Sequence, residues 1–179
     1  MSIGQRIIIV GSSGSGKTSL AKAISVRCQI PHIELDSLFW KSNWQESADD
    51  EFFSKIQVAL ENAGDSWVLD GNYSRAQSII WPLADTIIWL DYPLWLSFAR
   101  LLRRTLRRMF TREMLWGNNR ESVREVFFSK ESILLYSLKT HKTRRQKYLK
   151  RMLSNDDPHL NYIRLCHPRE ATWITEQID

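Results

Sequence analysis

No run of 18 or more apolar residues occurs in the 179-residue chain, so a membrane-spanning helix is not expected. The N-terminus enters its first predicted strand without a signal-peptide pattern, and a cytoplasmic protein is expected. Cysteine is scarce: Cys28 and Cys166 lie far apart in apolar patterns, which excludes a disulfide framework and a cysteine metal cluster and predicts reduced core cysteines. Internal repeats and low-complexity tracts are absent, so solenoid and fibrous architectures are not expected. What remains is ordinary for a soluble globule, with 43% hydrophobic and 25% charged residues, and the length suits one domain over residues 1–179 with a real core.

Glycine is also sparse, yet three of the seven glycines fall at 11, 14 and 16. Residues 11–18 read Gly-Ser-Ser-Gly-Ser-Gly-Lys-Thr, with Gly first, Gly-Lys sixth and seventh, and a hydroxyl residue eighth. That is the pattern of a phosphate-binding loop. Glycines let successive N–H groups turn inward around a phosphate, Lys17 adds positive charge for the β- and γ-phosphates, and Thr18 offers a hydroxyl to Mg2+. The flanks agree: residues 6–10 (Arg-Ile-Ile-Ile-Val) suit a strand buried on both faces, and residues 19–28 put Leu20, Ile24 and Cys28 on one helical face. Strand, glycine loop and helix in that order place partial positive charge from the helix N-terminus at the anion. Gly11, Ser12, Ser13, Gly14, Ser15, Gly16, Lys17, Thr18 and Ser19 are therefore the expected ATP-binding set.

The net charge of +5 conceals an uneven distribution. Residues 100–151 hold 16 Lys and Arg against 4 Asp and Glu, and the rest of the chain 9 against 16. Such a block fits a solvated helical face, a nucleic-acid patch or arginines gathered around a polyphosphate.

Further along, residues 31–36 alternate polar and apolar, which predicts a strand with His32, Glu34 and Asp36 on one side. An aromatic loop over 37–44 follows, then a helix starting at Ser47 and ended by Gly64. Residues 67–70 predict a third strand ending on Asp70, and residues 86–91 a fourth ending on Asp91, closed by Pro93. A long helix over 94–109 carries Arg100, Arg103, Arg104, Arg107 and Arg108. After a break around 111–119, residues 121–154 read as mostly helical and basic. A fifth strand over 161–166 and a helix over 169–178 complete the chain. Five strands alternating with helices predict a three-layer α/β sandwich on a mainly parallel sheet.

Acids at strand ends are the candidates for Mg2+: Asp70 first, then Glu34, beside Thr18. Asp36 is the candidate for orienting an acceptor hydroxyl and serving as general base. His32 is set aside as an ordinary strand histidine. Arg100 and Arg104, four residues apart, share a helical face and can neutralise charge on a polyphosphate. Trp40 and Tyr73, with Phe39 and Trp44, supply aromatic walls for a nucleobase or sugar ring, and Arg75 can hold an anionic group of the acceptor.

These residues resemble the adenylate-kinase-like group of small P-loop kinases, over residues 11–18, Asp70-Gly71 with Arg75 following, Asp91 before Pro93, and Arg100 with Arg104. Within it the chain is similar to the bacterial topology-modulation proteins at the Leu-Asp36 turn, at residues 67–73 (Trp-Val-Leu-Asp-Gly-Asn-Tyr) and at residues 116–121 (Trp-Gly-Asn-Asn-Arg-Glu). The resemblance implies a three-layer α/β/α P-loop NTPase fold, a five-stranded parallel sheet in the order 2-3-1-4-5, a helical lid over 100–151, and ATP-dependent transfer to a small acceptor held beside residues 36–64. It also implies that Arg120, Arg144 or Arg145 completes the phosphate clamp. The segment after Asp70-Gly71 departs from adenylate kinases, which makes AMP a poor expectation, while Glu34 and Asp36 are similar to the acids of shikimate- and gluconate-type kinases. Two functions are thus expected to compete: an ATP- and Mg2+-dependent phosphotransferase acting on a small hydroxylated or nucleotide-like acceptor, and a nucleic-acid-associated ATPase gripping phosphates with residues 100–151. The first is favoured, as a monomer or homodimer, because the basic segment carries no recognisable nucleic-acid reading motif.

Overall fold

The computed structural model describes residues 3–120, 133–154 and 156–178. Five strands form one parallel sheet in the order β2-β3-β1-β4-β5, where β1 is Arg6–Gly11, β2 His32–Glu34, β3 Trp67–Asp70, β4 Thr86–Leu90 and β5 Asn161–Leu165. Among the described residues the α-helices are α1 (Lys17–Cys28), α2 (Leu35–Phe39), α3 (Asp49–Ala63), α4 (Gln77–Ile80), α5 (Leu94–Thr111), α6 (Ile133–Leu153) and α7 (Pro168–Gln177). No helix among the described residues is long and apolar enough to cross a membrane.

Strand alternation divides the core in two. Ile8 and Val10 of β1 face a layer built from Phe52 and Ile56 of α3, Ile80 of α4 and Tyr148 of α6. Ile7 and Ile9 face the opposite layer, with Leu20 and Ile24 of α1 and Ile174 of α7. Because β1 lies at the centre with both faces covered, every residue from Ile7 to Val10 had to be apolar. Burying each isoleucine stabilises by roughly 1.5–3 kcal/mol, an upper range set by an extended unfolded chain. Parallel pairing then brings the carboxyl ends of β1, β2 and β3 to one edge, with Glu34 and Ile9 both in register with Asp70.

The strand expected over residues 31–36 stops at Glu34. Leu35 is fully buried beneath the end of β3, and a Cβ on Gly71 would come within 2.7 Å of Leu35 Cβ. That tight packing turns the chain into α2, which takes Asp36 off the strand face shared by His32 and Glu34. Part of the expected aromatic loop is therefore helical. Ser47 does not cap α3; Ala48 holds the cap position, and the Ser47 hydroxyl donates to the Leu38 carbonyl at 3.3 Å. Cys166 is exposed, since it follows the last residue of β5, and is not the core cysteine expected, whereas Cys28 is half-buried and packs against the layer that holds Leu20 and Ile24. The front of the helix expected over 121–154, including Glu121, lies outside the described residues.

Candidate functional site

The glycine loop leaves β1 and enters α1 at Lys17, with Gly16 at the cap in a left-handed conformation. Gly14 has φ of 79°, and a Cβ there would lie 2.3 Å from the Ser97 carbonyl of α5. The loop thus packs directly beneath α5, and a side chain at position 14 would push the two apart. Lys17 Nζ donates to the Ser12 carbonyl at 3.1 Å across the mouth of the loop. Burial strips water from this amine and pulls its pKa down to about 8, against Asp36 and Asp70, which raise it; Arg104 and Arg144 lower it further.

Asp70, buried at 3% exposure, is the hub of the acid cluster. Its Oδ2 accepts from the Thr18 hydroxyl at 2.6 Å, and its Oδ1 lies 2.9 Å from His32 Nε2. Glu34 Oε1 is 3.5 Å from the same hydroxyl, and its Oε2 accepts from the Trp116 indole N–H at 3.1 Å. Desolvation, opposed by that indole and helped by Asp70 and Asp36, holds the Glu34 carboxyl above its usual range. Among the described residues, no three His, Cys, Asp or Glu side chains gather as a metal cage. Thr18, Asp70 and Glu34 nevertheless fit Mg2+, which favours one or two carboxylates plus phosphate oxygens over an all-protein cage.

The cleft over this edge, about 1930 Å³, has two unlike halves. One is lined by Arg100, Arg104, Arg107, Arg108, Lys139 and Arg144. Arg103, at the outer edge of the same stripe beside Arg100 and Arg107, is exposed and does not line it. Arg100 stands over the Tyr92 ring, 5.8 Å from its centre. Of the three arginines offered by resemblance, Arg144 lines the cleft, whereas Arg145 pairs with the buried Asp91 at 3.0 Å beside Arg164. Arg120 is exposed, and its carbonyl accepts from the Trp44 indole at 3.2 Å.

The other half is aromatic and acidic. Asp36 Oδ1 accepts from the Tyr73 hydroxyl at 2.5 Å. Trp40 meets Trp44 edge-on, with ring centres 5.5 Å apart, and Tyr73 leans on Phe39 at 4.6 Å. Arg75 lies on Phe39 and is already bridged by Asp49 at 2.6 Å and Glu46 at 3.0 Å. Its charge is therefore spent within the chain, which does not favour the expected part as an anion holder.

Sequence inspection missed two members of the site. His32 abuts Asp70, a contact hidden by its unremarkable place in a strand. Asn72 accepts from the Gly11 N–H at 3.2 Å, donates back to the Gly11 carbonyl, and accepts from the Tyr148 hydroxyl at 3.3 Å. One amide thus ties the start of the glycine loop to the end of β3 and to α6. Asn72→Ala leaves two backbone groups of the loop unmatched and is expected to lower stability by roughly 1–3 kcal/mol in urea titration. Asn72→Asp, which keeps the acceptor and loses the donor, should fall between.

No protein-family model matches the chain. It is 22% identical to YqaC, an uncharacterized protein of Bacillus subtilis, over 129 residues, 72% of each chain. A shikimate kinase of Bacteroides thetaiotaomicron superposes with a TM-score of 0.55 at 13% identity, covering 97% of this chain and 95% of that one. A sugar kinase of Janibacter gives 0.52 at 16% identity over 98% and 94%. A gluconokinase of Sinorhizobium meliloti gives 0.50 at 19% identity over 99% and 94%. With its five parallel strands in the order expected and helices around them, the chain has the fold of the P-loop kinases.

Proposed function

We propose that this chain is an ATP- and Mg2+-dependent phosphotransferase acting on a hydroxyl of a small molecule, akin to the bacterial topology-modulation proteins. The observation that carries the proposal is the convergence on one edge of the sheet: Lys17 and Thr18 from the glycine loop, Asp70 and Glu34 from neighbouring strands, and the cationic wall of α5 and α6 opposite. The loop N–H groups and Lys17 would hold the triphosphate, while Thr18 and Asp70, with Glu34, would hold Mg2+, whose charge would offset that of the phosphates. Arg104 and Arg144 face the transferring group. Asp36, braced by Tyr73, receives the acceptor's proton. The gluconokinase, sugar kinase and shikimate kinase among the structural neighbours are small-molecule kinases, which supports the same class of reaction here.

A screen of ATP consumption against pools of hydroxylated metabolites tests this. Phosphorylated product is expected from one pool, and Asp36→Ala should slow its formation about 10²–10⁴-fold with the fold intact. If ATP is merely hydrolysed, at a rate indifferent to Asp36→Ala, the proposal fails. The alternative, a nucleic-acid-bound ATPase, is weakened because Arg145 and Arg151 are committed to Asp91 and Asp157 while Arg104 and Arg144 turn to the cleft. Duplex binding is accordingly expected to be weak even at low salt.

Lys17 also predicts a proton linkage. Its pKa near 8 in the free protein must rise when a polyphosphate supplies negative charge, so binding takes up a proton in the window above pH 8. ATP affinity should fall as pH rises through that window, and binding heats measured in buffers of different ionisation enthalpy should show the uptake. A heat that is the same in every buffer, with an affinity flat across the window, would remove Lys17 as the group that meets the phosphates.

A further inference from the structure

The aromatic half of the cleft says which acceptors it rejects. Of the described cleft-lining residues in segments 34–46 and 71–75, Arg75 is the one cation, against Glu34, Asp36 and Glu46. Arg75 is held by two carboxylates at 2.6 and 3.0 Å. The next cations on the rim, Arg107 and Arg108, share Glu113 at 3.2 and 3.4 Å. A carboxylate or phosphate on the acceptor would sit among acids whose counter-charges are already taken, an arrangement that weakens its binding.

The polar groups of this half are equally committed. Tyr73 donates to Asp36, Trp116 to Glu34, Asn72 is engaged with Gly11, and the Ser74 hydroxyl accepts from Lys147 at 3.4 Å. A polyhydroxylated sugar needs many partners for hydroxyls it takes out of water, and few are left. A flat ring needs few, and Trp40, Trp44 and Tyr73 offer it wide, partly exposed aromatic surfaces. Asp36 keeps its second carboxylate oxygen for a single hydroxyl.

We propose that the acceptor is an uncharged compound of the nucleoside class, its base against Trp40, Trp44 and Tyr73 and its hydroxyl on Asp36. The proposal rests on the phosphotransferase function above. In the transfer the acceptor oxygen bonds to the γ-phosphorus of ATP as the bond to the bridging oxygen breaks. The electron pair leaves on ADP and the hydroxyl proton passes to Asp36.

Calorimetric titrations on protein saturated with Mg2+ and a non-hydrolysable ATP analogue test it. The probes are adenosine, guanosine, cytidine and thymidine, their 5′-monophosphates, glucose and glucuronate. At least one nucleoside is expected to bind about tenfold or more tightly than its own monophosphate and than either sugar. In the double variant Glu46→Gln, Asp49→Asn, which frees Arg75, the gap between nucleoside and monophosphate should close by about tenfold. The exposed positions of both acids keep the fold out of the comparison. A monophosphate, glucose or glucuronate as the tightest ligand overturns the proposal, and so does the absence of nucleoside binding to the loaded protein; either result leaves phosphotransfer standing. Conversely, nucleoside binding without transfer from MgATP supports this recognition and removes the transferase function.

Discussion

Arg104→Ala is expected to lower turnover roughly a thousandfold or more, the scale set by arginines that neutralise charge on a transferring phosphoryl group, while ATP affinity falls far less. The helix α5 leaves β4 past Pro93 and passes over the glycine loop, so its inward side carries Arg100, Arg104 and Arg108 at four-residue spacing. Burial is the main cause of the lowered Lys17 pKa, and Arg104 is the one of the three that, with Arg144, adds to it, against Asp36 and Asp70. Two guanidinium groups close enough to disfavour a third positive charge form a site that wants an anion, most of all when charge builds on the bridging oxygen. Steady-state kinetics beside equilibrium binding separate the two effects. Arg104→Lys keeps the charge and loses the planar fork, so it should recover part of the rate. Arg103→Ala, at the exposed outer edge of the same stripe, should cost little. Equal losses of affinity and turnover at Arg104 would make it a ground-state clamp and no more.

The parts of this site that the sequence made visible are those set by local backbone chemistry. The glycine loop is contiguous, and its conformation needs glycine at fixed positions, so residues 11–18 announced both the strand before and the helix after. The strand end at Asp70 was visible because a strand buried on both faces is apolar until it reaches the cleft. What escaped depends on contacts between distant segments. Asp36 was placed on a strand because alternation through Leu35 looks the same whether the chain continues or turns; burial of Leu35 against Gly71 decided it. Arg144 and Arg145 are adjacent and chemically identical, yet helical rotation sends one to the cleft and the other to Asp91. Asn72 and His32 gain their importance from Gly11 and Asp70, each tens of residues away along the chain. The acidic partners of Arg75, Glu46 and Asp49, lie in a different segment, and without them the guanidinium looked available for an anion.

Lys17→Met should abolish transfer to the limit of detection, at least about a thousandfold, and yet yield a protein no less stable than the wild type at neutral pH. The rate loss follows from geometry: Lys17 is the cation at the mouth of the loop, and methionine keeps the aliphatic stem without the charge. The stability follows from the pKa. A lysine lowered from 10.5 to about 8 on folding is one whose charged form the fold disfavours. Below pH 8 it is protonated in both the folded and unfolded chains, so the penalty is fully present, about 3 kcal/mol. Between pH 8 and 10.5 the unfolded chain binds the proton more strongly than the folded one, and rising pH therefore relieves the penalty. Wild type should gain stability relative to Lys17→Met across that interval, and the variant should have the higher melting temperature at pH 7. Saturating MgATP should reverse the order at pH 7, because the polyphosphate stabilises the wild type by mass action and binds the variant poorly. Melting curves at pH 7 and pH 10, with and without MgATP, check all three. A variant that melts lower at pH 7 without ligand would mean that Lys17 holds the loop together through its bond to the Ser12 carbonyl, and that its charge is part of the fold before it is part of the chemistry.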